Sequence, residues 1–168
     1  VHQRQAIYGT RIIMTTVTAA DGHEFAVHTA QPSGNTKGLV VVVQEIFGVN
    51  EHIRSVADRY AELGYMAVAP SLFDRVQKNV ELNYDEEGIE VGRKIAFEDL
   101  SMDQVMMDIE ATIGHYPHPG GVGIVGYCWG GSICYVAAAR LSDKISAASG
   151  YYGGQIMPHI EEEPRVPL

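Results

Sequence analysis

The stretch GYCWGG, residues 126–131, follows a short apolar run at 122–125 and leads into a largely apolar segment at 129–140. The run has the composition of a strand, and the segment has the length and composition of a buried helix. Glycines on both sides of the central residue allow a strand and a helix to pack closely around a sharp, strained turn. The sequence therefore predicts a strand, a tight turn and a helix, with Cys128 at the tip of the turn.

Strand and helix patterns alternate from residue 39 onward. The run 39–43 is continuous and almost wholly β-branched, which is typical of a strand buried on both faces. The alternation predicts parallel β-α-β units, and hence an α/β fold with a mostly parallel sheet and helices on both faces. One predicted helix is capped by Asn50 and ends at Gly64, and its apolar stripe is formed by Ile53, Val56, Ala57, Tyr60 and Ala61. The other predicted elements are a strand at 66–69, a weak helix at 87–98, a helix that begins at the capping box 101–104, and a strand at 145–151.

Two segments fall outside this alternation. Residues 11–20 and 24–31 are β-rich and are separated by Asp21 and Gly22, which is a hairpin signal. Residues 71–86 have no clear period, so the sequence predicts a surface loop there.

Composition narrows the classes of partner. The chain has 168 residues, a formal net charge of -9 and a pI near 5.1, which disfavours nucleic acid and anionic membranes as partners. Two cysteines are too few for a disulfide framework, and no metal-ligand spacing is present. We therefore expect no metal and a reducing, cytoplasmic setting.

Residues 121–126 match GxGxxG, but those glycines run through a predicted strand instead of opening a helix, so no dinucleotide cofactor is expected.

Cys128 is the candidate nucleophile. Open α/β sheets place their sites at the carboxyl ends of strands, where this turn lies. The dipole of the following helix favours a thiolate, and the backbone N–H of Trp129 would face a developing oxyanion. An isolated cysteine in a glycine-rich turn is more often a buried structural residue. The strand, turn and helix context favours the nucleophile, whereas Cys134, inside the helix, is expected in the core.

Two further candidates follow the preceding strands. Glu45 comes directly after the 39–43 strand, where a carboxylate is costly unless it is paired with a thiol or a cation or is solvated. The loop after such a strand commonly supplies a second oxyanion N–H, and here Ile46 would be that donor. Arg75 follows the next strand on the same edge and could bind a substrate carboxylate. Alternatively, Arg75 pairs with Asp74 or lies in solvent.

Four motifs together resemble the dienelactone hydrolase family: VVVVQEIFGVN, APSLFDR, GYCWGG and GYYGG, in that order along residues 10–168. The resemblance implies an α/β-hydrolase fold with cysteine in place of the usual serine. It implies that Cys128 is the nucleophile, that Glu45 holds the thiol at rest and helps to form the thiolate, and that Arg75 binds the substrate carboxylate. The implied reaction opens a carboxylate-bearing lactone or ester through an acyl-cysteine, in the breakdown of aromatic compounds and without a cofactor. A monomer is favoured.

The family pattern breaks after Cys128. An Asp and then a His should follow on loops after later strands, but Asp143 precedes its strand. His159 follows that strand and could reach the site edge, yet no acid stands after it to orient it. The sequence ends at 166–168, where a further strand is expected to begin. We therefore interpret residues 1–168 as one α/β-hydrolase domain that is incomplete at its C-terminus, with the last strands, a helix and the triad Asp and His beyond Leu168.

Two alternatives remain open from the sequence. A class I glutaminase-type amidase also carries a cysteine on such a turn, although Glu45 and Arg75 would then have no role. A degenerate hydrolase fold that binds a ligand or a partner without turnover is the second alternative, because an unassisted thiol forms little thiolate at neutral pH.

Overall fold

A six-stranded sheet organises the computed structural model, which describes residues 11–168. The strand order is β1-β2-β4-β3-β5-β6. The pairs β1–β2 and β2–β4 are antiparallel, whereas β4–β3, β3–β5 and β5–β6 are parallel. The predicted mostly parallel α/β fold is therefore confirmed. The strands are β1 (Arg11–Thr18), β2 (Glu24–Gln31), β3 (Leu39–Val43), β4 (Met66–Pro70), β5 (Val122–Tyr127) and β6 (Ala147–Tyr151).

Helices cover both faces of this sheet, as predicted. The helices are α1 (Glu51–Glu62), α2 (Glu86–Lys94), α3 (Met102–His115) and α4 (Trp129–Arg140). Successive residues of β3 point to opposite faces, so Val40 and Val42 pack with α1 while Val41 and Val43 pack with α3 and α4. This two-sided burial explains why the β3 sequence is continuously apolar.

Within residues 11–168, none of the helices combines the length and apolar character needed to cross a lipid bilayer.

The predicted helix starts are confirmed by their hydrogen bonds. The side chain of Asn50 accepts from the backbone N–H of Ile53 at the start of α1. Ser101 and Gln104 form the reciprocal capping box that opens α3. Each cap satisfies backbone N–H groups that have no partner within the helix, which fixes where these helices begin.

The segment 71–86 is more ordered than the predicted surface loop. A 3-10 turn spans Leu72–Arg75, and Leu72 and Phe73 are completely or almost completely buried. Four residues are too few to show a periodic pattern, so burial at this position could not be read from the sequence. The predicted weak helix is α2, which continues into a π-helical turn at Ile95–Asp99.

The last residues run along α4 on one flank of the sheet. The backbone N–H of Arg165 donates to the carbonyl of Ala138, and that of Ala148 donates to the carbonyl of Pro167. The predicted strand at 166–168 is not formed in the structure. The hydrogen bond between Ala148 and Pro167 nevertheless places this segment beside β6.

Candidate active site

The GYCWGG stretch forms the strained turn that its sequence predicts. Cys128 directly follows β5 and directly precedes α4, with φ 55° and ψ -118°. A positive φ is uncommon for a residue with a side chain, and such strain concentrates at functional sites. The backbone N–H of Cys128 donates to the carbonyl of Tyr151 at 3.0 Å, which ties the turn to the end of β6.

The glycines around Cys128 are required by close backbone contacts. A Cβ atom on Gly130 would lie 2.6 Å from the carbonyl oxygens of both Val43 and Gln44. A Cβ on Gly126 would collide with the backbone of Gly130. Helix α4 therefore starts pressed against the end of β3, and this contact brings the Cys128 turn beside the loop that carries Glu45.

Two backbone N–H groups near this edge, those of Ile46 and Trp129, donate to no oxygen atom of the described residues. The N–H of Trp129 interacts with the sulfur of Cys128. Trp129 is the first residue of α4, where a backbone N–H has no partner inside the helix. Free N–H donors at a nucleophile are the groups that stabilise an oxyanion. The oxyanion-hole assignment of Ile46 and Trp129 remains a prediction.

The surroundings of Cys128 disfavour its thiolate. Burial raises its pKa above the ordinary value, the negative charge of Glu45 raises it further, and the backbone N–H of Trp129 acts in the opposite direction. Cys134 is completely buried, and burial raises its pKa to about 12. Cys128 is partly exposed, so it is the accessible thiol of the described chain.

Glu45 is held by two tyrosines. Its side chain is almost completely buried, with Oε2 accepting from the Tyr84 hydroxyl at 2.9 Å and Oε1 accepting from the Tyr152 hydroxyl at 3.3 Å. No hydrogen bond to the Cys128 thiol and no cation paired with Glu45 occurs among residues 11–168. The expected thiol or cation partner was therefore wrong for this structure, since phenol hydroxyls satisfy the carboxylate instead.

These tyrosines were not predicted from the sequence. Tyr84 lies in the segment expected to be a surface loop, and its ring packs on Phe47 with centroids 4.3 Å apart. Tyr152 directly follows β6 and has φ 40°. Two signals were available for Tyr152, since it belongs to the GYYGG motif and follows a predicted strand at the same sheet edge as Cys128 and Glu45.

Arg75 lies in an ion-pair cluster. Its Nε and Nη2 donate to the two carboxylate oxygens of Asp108 at 2.9 and 2.8 Å, and Nη1 donates to Asp21 at 2.7 Å. The side chain of Arg75 is 7% exposed, that of Asp108 is 0% exposed and that of Asp21 is 37% exposed. The expected alternatives of pairing with Asp74 or lying in solvent are both wrong. Binding of a substrate carboxylate by Arg75 remains a prediction, and it would require displacement of the exposed partner, Asp21.

His159 is paired with a carboxylate outside the Cys128 turn. Its Nδ1 is 2.8 Å from Glu162, whose carboxylate also binds Arg140, the last residue of α4. The segment after β6 runs along α4, where the Tyr135 hydroxyl donates to the carbonyl of Ile160. The structure therefore places no hydrogen bond between His159 and Cys128 among the described residues.

Residues 11–168 contain no cluster of three or more His, Cys, Asp or Glu side chains arranged to hold a metal ion. The described site brings together one thiol, one carboxylate, two phenols and backbone N–H groups.

Comparison with known proteins identifies proteins that are similar to this chain in sequence. A sequence model of the dienelactone hydrolase family matches residues 25–167. A carboxymethylenebutenolidase of Pseudomonas putida is 33% identical over 155 residues, covering 89% of this chain and 64% of the relative. A Synechocystis protein named as a candidate carboxymethylenebutenolidase is 42% identical over 126 residues, covering 72% of this chain and 50% of the relative. The chain thus spans about half to two thirds of the length of these relatives.

The fold is also found among solved structures. The crystal structure of a candidate dienelactone hydrolase from Klebsiella pneumoniae superposes with a TM-score of 0.70 at 31% sequence identity. The match covers 84% of this chain and 60% of that one.

Proposed function

This chain belongs to the dienelactone hydrolase family, and from that membership we propose that it opens a carboxylate-bearing lactone or ester through an acyl-cysteine intermediate. The observation that supports this most directly is the position of Cys128. It lies on a strained strand-to-helix turn, at the sheet edge where two backbone N–H groups donate to no oxygen atom of the described residues. Strain of this kind exposes a nucleophile at the end of a strand.

In the proposed reaction, the thiol of Cys128 loses its proton and the sulfur attacks the carbonyl carbon of the lactone. The carbonyl oxygen becomes negatively charged and accepts hydrogen bonds from the N–H groups of Ile46 and Trp129. The bond between that carbon and the ring oxygen then breaks, and the departing oxygen takes up a proton. Water hydrolyses the thioester, which returns the free thiol and releases the opened acid.

Formation of the thiolate is the demanding step at this site. Burial and the charge of Glu45 both raise the pKa of Cys128, so the thiol needs a proton acceptor. We propose, from the family resemblance, that Glu45 takes part in this step, although its negative charge by itself opposes the thiolate. No histidine is hydrogen-bonded to Cys128 within residues 11–168, so the described residues supply a nucleophile without an aligned imidazole base.

We propose that the substrate is a cyclic enol-lactone that carries a carboxylate, as formed during the breakdown of aromatic compounds. We also propose that the enzyme is cytoplasmic and monomeric. Arg75 is the proposed group for the substrate carboxylate. The support is that one of its two partners, Asp21, is exposed and could be exchanged for a ligand carboxylate, while the buried Asp108 keeps the guanidinium oriented.

The direct test is hydrolysis of 4-nitrophenyl acetate and of a dienelactone by the protein expressed from its whole gene. We expect Cys128→Ala to abolish turnover of both esters and the matched variant Cys134→Ala to retain it, because Cys134 is buried in the core. Unchanged turnover in Cys128→Ala would refute the nucleophile assignment. Binding of the lactone without turnover by the wild-type protein would favour a non-catalytic binding role, and release of ammonia from glutamine would favour an amidase.

A further inference from the structure

A histidine that takes no part in the proposed reaction is buried beneath α1. His28 lies in β2 and is 2% exposed. Its Nε2 atom lies 3.6 Å from Oδ1 of Asp58 on α1, which is longer than a hydrogen bond. Neither atom has a hydrogen-bond partner among the residues that the structure describes. Buried polar atoms are nearly always hydrogen-bonded, so this pair is an exception that requires an explanation.

The charged groups that act on His28 both lie on α1. Its cross-strand neighbours are Met14 on β1 and Ala69 on β4, and neither side chain carries a charge. The negative charge of Asp58 attracts a proton to the imidazole, and the positive charge of Arg54 repels it. The contact between α1 and the sheet therefore decides the charge state of His28.

Asp58 is the counter-charge that an imidazolium would meet at this position. Within residues 11–168, no lysine or arginine forms an ion pair with Asp58, since Arg54, one turn earlier, binds Glu81 at 2.6 Å. The side chain of Asp58 is 30% exposed, so solvent weakens its attraction for a charge on His28. Burial of a charged group is costly unless the group is both paired and hydrogen-bonded, and this pair provides no hydrogen bond.

The surroundings of His28 favour its neutral form. Burial lowers the pKa of His28 below its ordinary value of 6.5, the charge of Asp58 acts in the opposite direction, and Arg54 adds to the decrease. The unfolded chain therefore binds a proton at this histidine more readily than the folded protein does. The neutral histidine contributes stability that is present above pH 6.5 and is lost as pH falls toward the folded-state value.

We propose that His28 and Asp58 form a pH-sensitive contact that holds α1 on the sheet near neutral pH and weakens in mild acid. A proton on Nε2 enters a buried position beside a partly solvated carboxylate. The imidazolium can be satisfied only if α1 moves to close the 3.6 Å gap or to admit a water molecule. This inference goes beyond the proposed hydrolysis and does not depend on it.

The same helix supports the candidate site. Helix α1 begins after Asn50, whose side-chain amide donates to the Tyr84 hydroxyl at 3.0 Å, and that hydroxyl donates to Glu45 at 2.9 Å. The pH-sensitive contact therefore lies on an element that also positions a hydrogen-bond donor to the carboxylate of the site.

The first test is the pH dependence of the unfolding free energy between about pH 7.5 and pH 5, measured by urea denaturation on the protein expressed from its whole gene. We expect stability to decline with falling pH in the wild type and to decline less in His28→Leu, which has no group to protonate at this position. His115→Gln, which removes an exposed histidine of α3, is the matched control and should keep the wild-type slope. Equal slopes in the wild type and His28→Leu would overturn the inference.

The titration of His28 itself is measured by NMR of the imidazole ring. We expect a midpoint below 6.5 in the wild type. Asp58→Asn keeps the histidine and removes its counter-charge, so the midpoint should fall by roughly a further 0.5–1 pH unit. A wild-type midpoint at or above 6.5, or no change in Asp58→Asn, would refute the proposed pair. This measurement applies even if His28→Leu does not fold.

Hydrogen exchange determines whether the effect is local to α1. After correction for the intrinsic pH dependence of exchange, protection of residues 51–62 should fall more than that of residues 102–115 near pH 5.5, and His28→Leu should abolish this difference. An equal loss of protection in α1 and α3 would contradict a contact specific to α1. None of these measurements uses turnover, so the hydrolase proposal is tested separately by Cys128→Ala.

Discussion

The guanidinium of Arg75 binds the buried carboxylate of Asp108 through two hydrogen bonds, of 2.9 and 2.8 Å, from Nε and Nη2. This pair joins the 3-10 turn after β4 to α3. Asp21, in the β1–β2 hairpin, binds the same guanidinium from the solvent side. Arg75 therefore has a structural role that its position in the sequence did not reveal.

Removal of Arg75 should destabilise the fold. Arg75→Ala leaves Asp108 buried without a counter-charge, and breaking a buried pair in this way costs about 3–5 kcal/mol of the free energy of unfolding. Urea denaturation followed by circular dichroism measures the loss. Asp21→Asn, which removes the exposed partner alone, should cost much less. Equal losses in the two variants would show that Asp108 does not depend on Arg75.

Asp21→Asn also tests the substrate role of Arg75. If a substrate carboxylate takes the place of Asp21, removal of the competing charge should lower KM for a carboxylate-bearing ester by roughly two- to fivefold. KM for a neutral ester of similar size should remain unchanged. Steady-state kinetics on both esters provides the comparison. A similar change for both esters would exclude Arg75 from carboxylate recognition.

Stability should fall in acid. Hydrogen bonds and ion pairs with Arg140 lower the pKa of Glu162 from 4.5 to about 2, and those with Arg75 lower the pKa of Asp21 from 3.8 to about 2. A lowered folded-state pKa contributes stability that is present above the unfolded value and is lost as pH falls toward the folded value. The free energy of unfolding should therefore decline between about pH 4.5 and pH 2.

Glu162→Gln isolates one part of this decline. The variant keeps the other acidic groups, including the buried Asp108, so the difference in slope belongs to Glu162 alone. We expect a shallower dependence of the unfolding free energy on pH in this variant, measured by urea denaturation at several acidic pH values. A slope identical to that of the wild type would contradict the lowered pKa of Glu162.

The two cysteines should differ in reactivity. Cys128 is partly exposed, whereas Cys134 is fully buried with a pKa raised to about 12 by its burial. Native protein treated with iodoacetamide should gain one adduct, located at Cys128 by peptide mapping, and unfolded protein should gain two. Modification of Cys134 in the native protein would show that α4 opens more readily than its packing suggests.

The turn at Cys128 should not tolerate a methyl group at Gly130. A Cβ there would lie 2.6 Å from two carbonyl oxygens at the end of β3. Gly130→Ala should therefore cost about 1–3 kcal/mol in unfolding free energy and displace the start of α4. Gly114, near the end of α3, is the matched control because a Cβ there meets no atom within 4 Å. Gly114→Ala should be stabilising by about 0.5–1 kcal/mol, and equal effects would contradict the packing argument.

Local patterns in the sequence determined the framework of this protein. The continuous apolar run 39–43 predicted β3, the capping box at Ser101 predicted the start of α3, and GYCWGG predicted the turn at Cys128. Each of these signals acts over a few neighbouring residues, through side-chain packing on one face or through satisfaction of backbone groups. The family resemblance rests on the same local motifs, and the match to residues 25–167 confirms it.

Only the tertiary structure decided which side chains meet at the site. Glu45 is bonded to Tyr84, 39 residues away, and to Tyr152, 107 residues away, while Arg75 meets Asp108 across 33 residues. Such pairs depend on the strand order, which places β3, β5 and β6 side by side. A carboxylate after a strand requires a partner, but elementary chemistry does not specify whether a thiol, a cation or a phenol will supply the hydrogen bond. The sequence alone therefore predicted the turn that carries Cys128, and the packing of distant segments determined the surroundings that set its protonation.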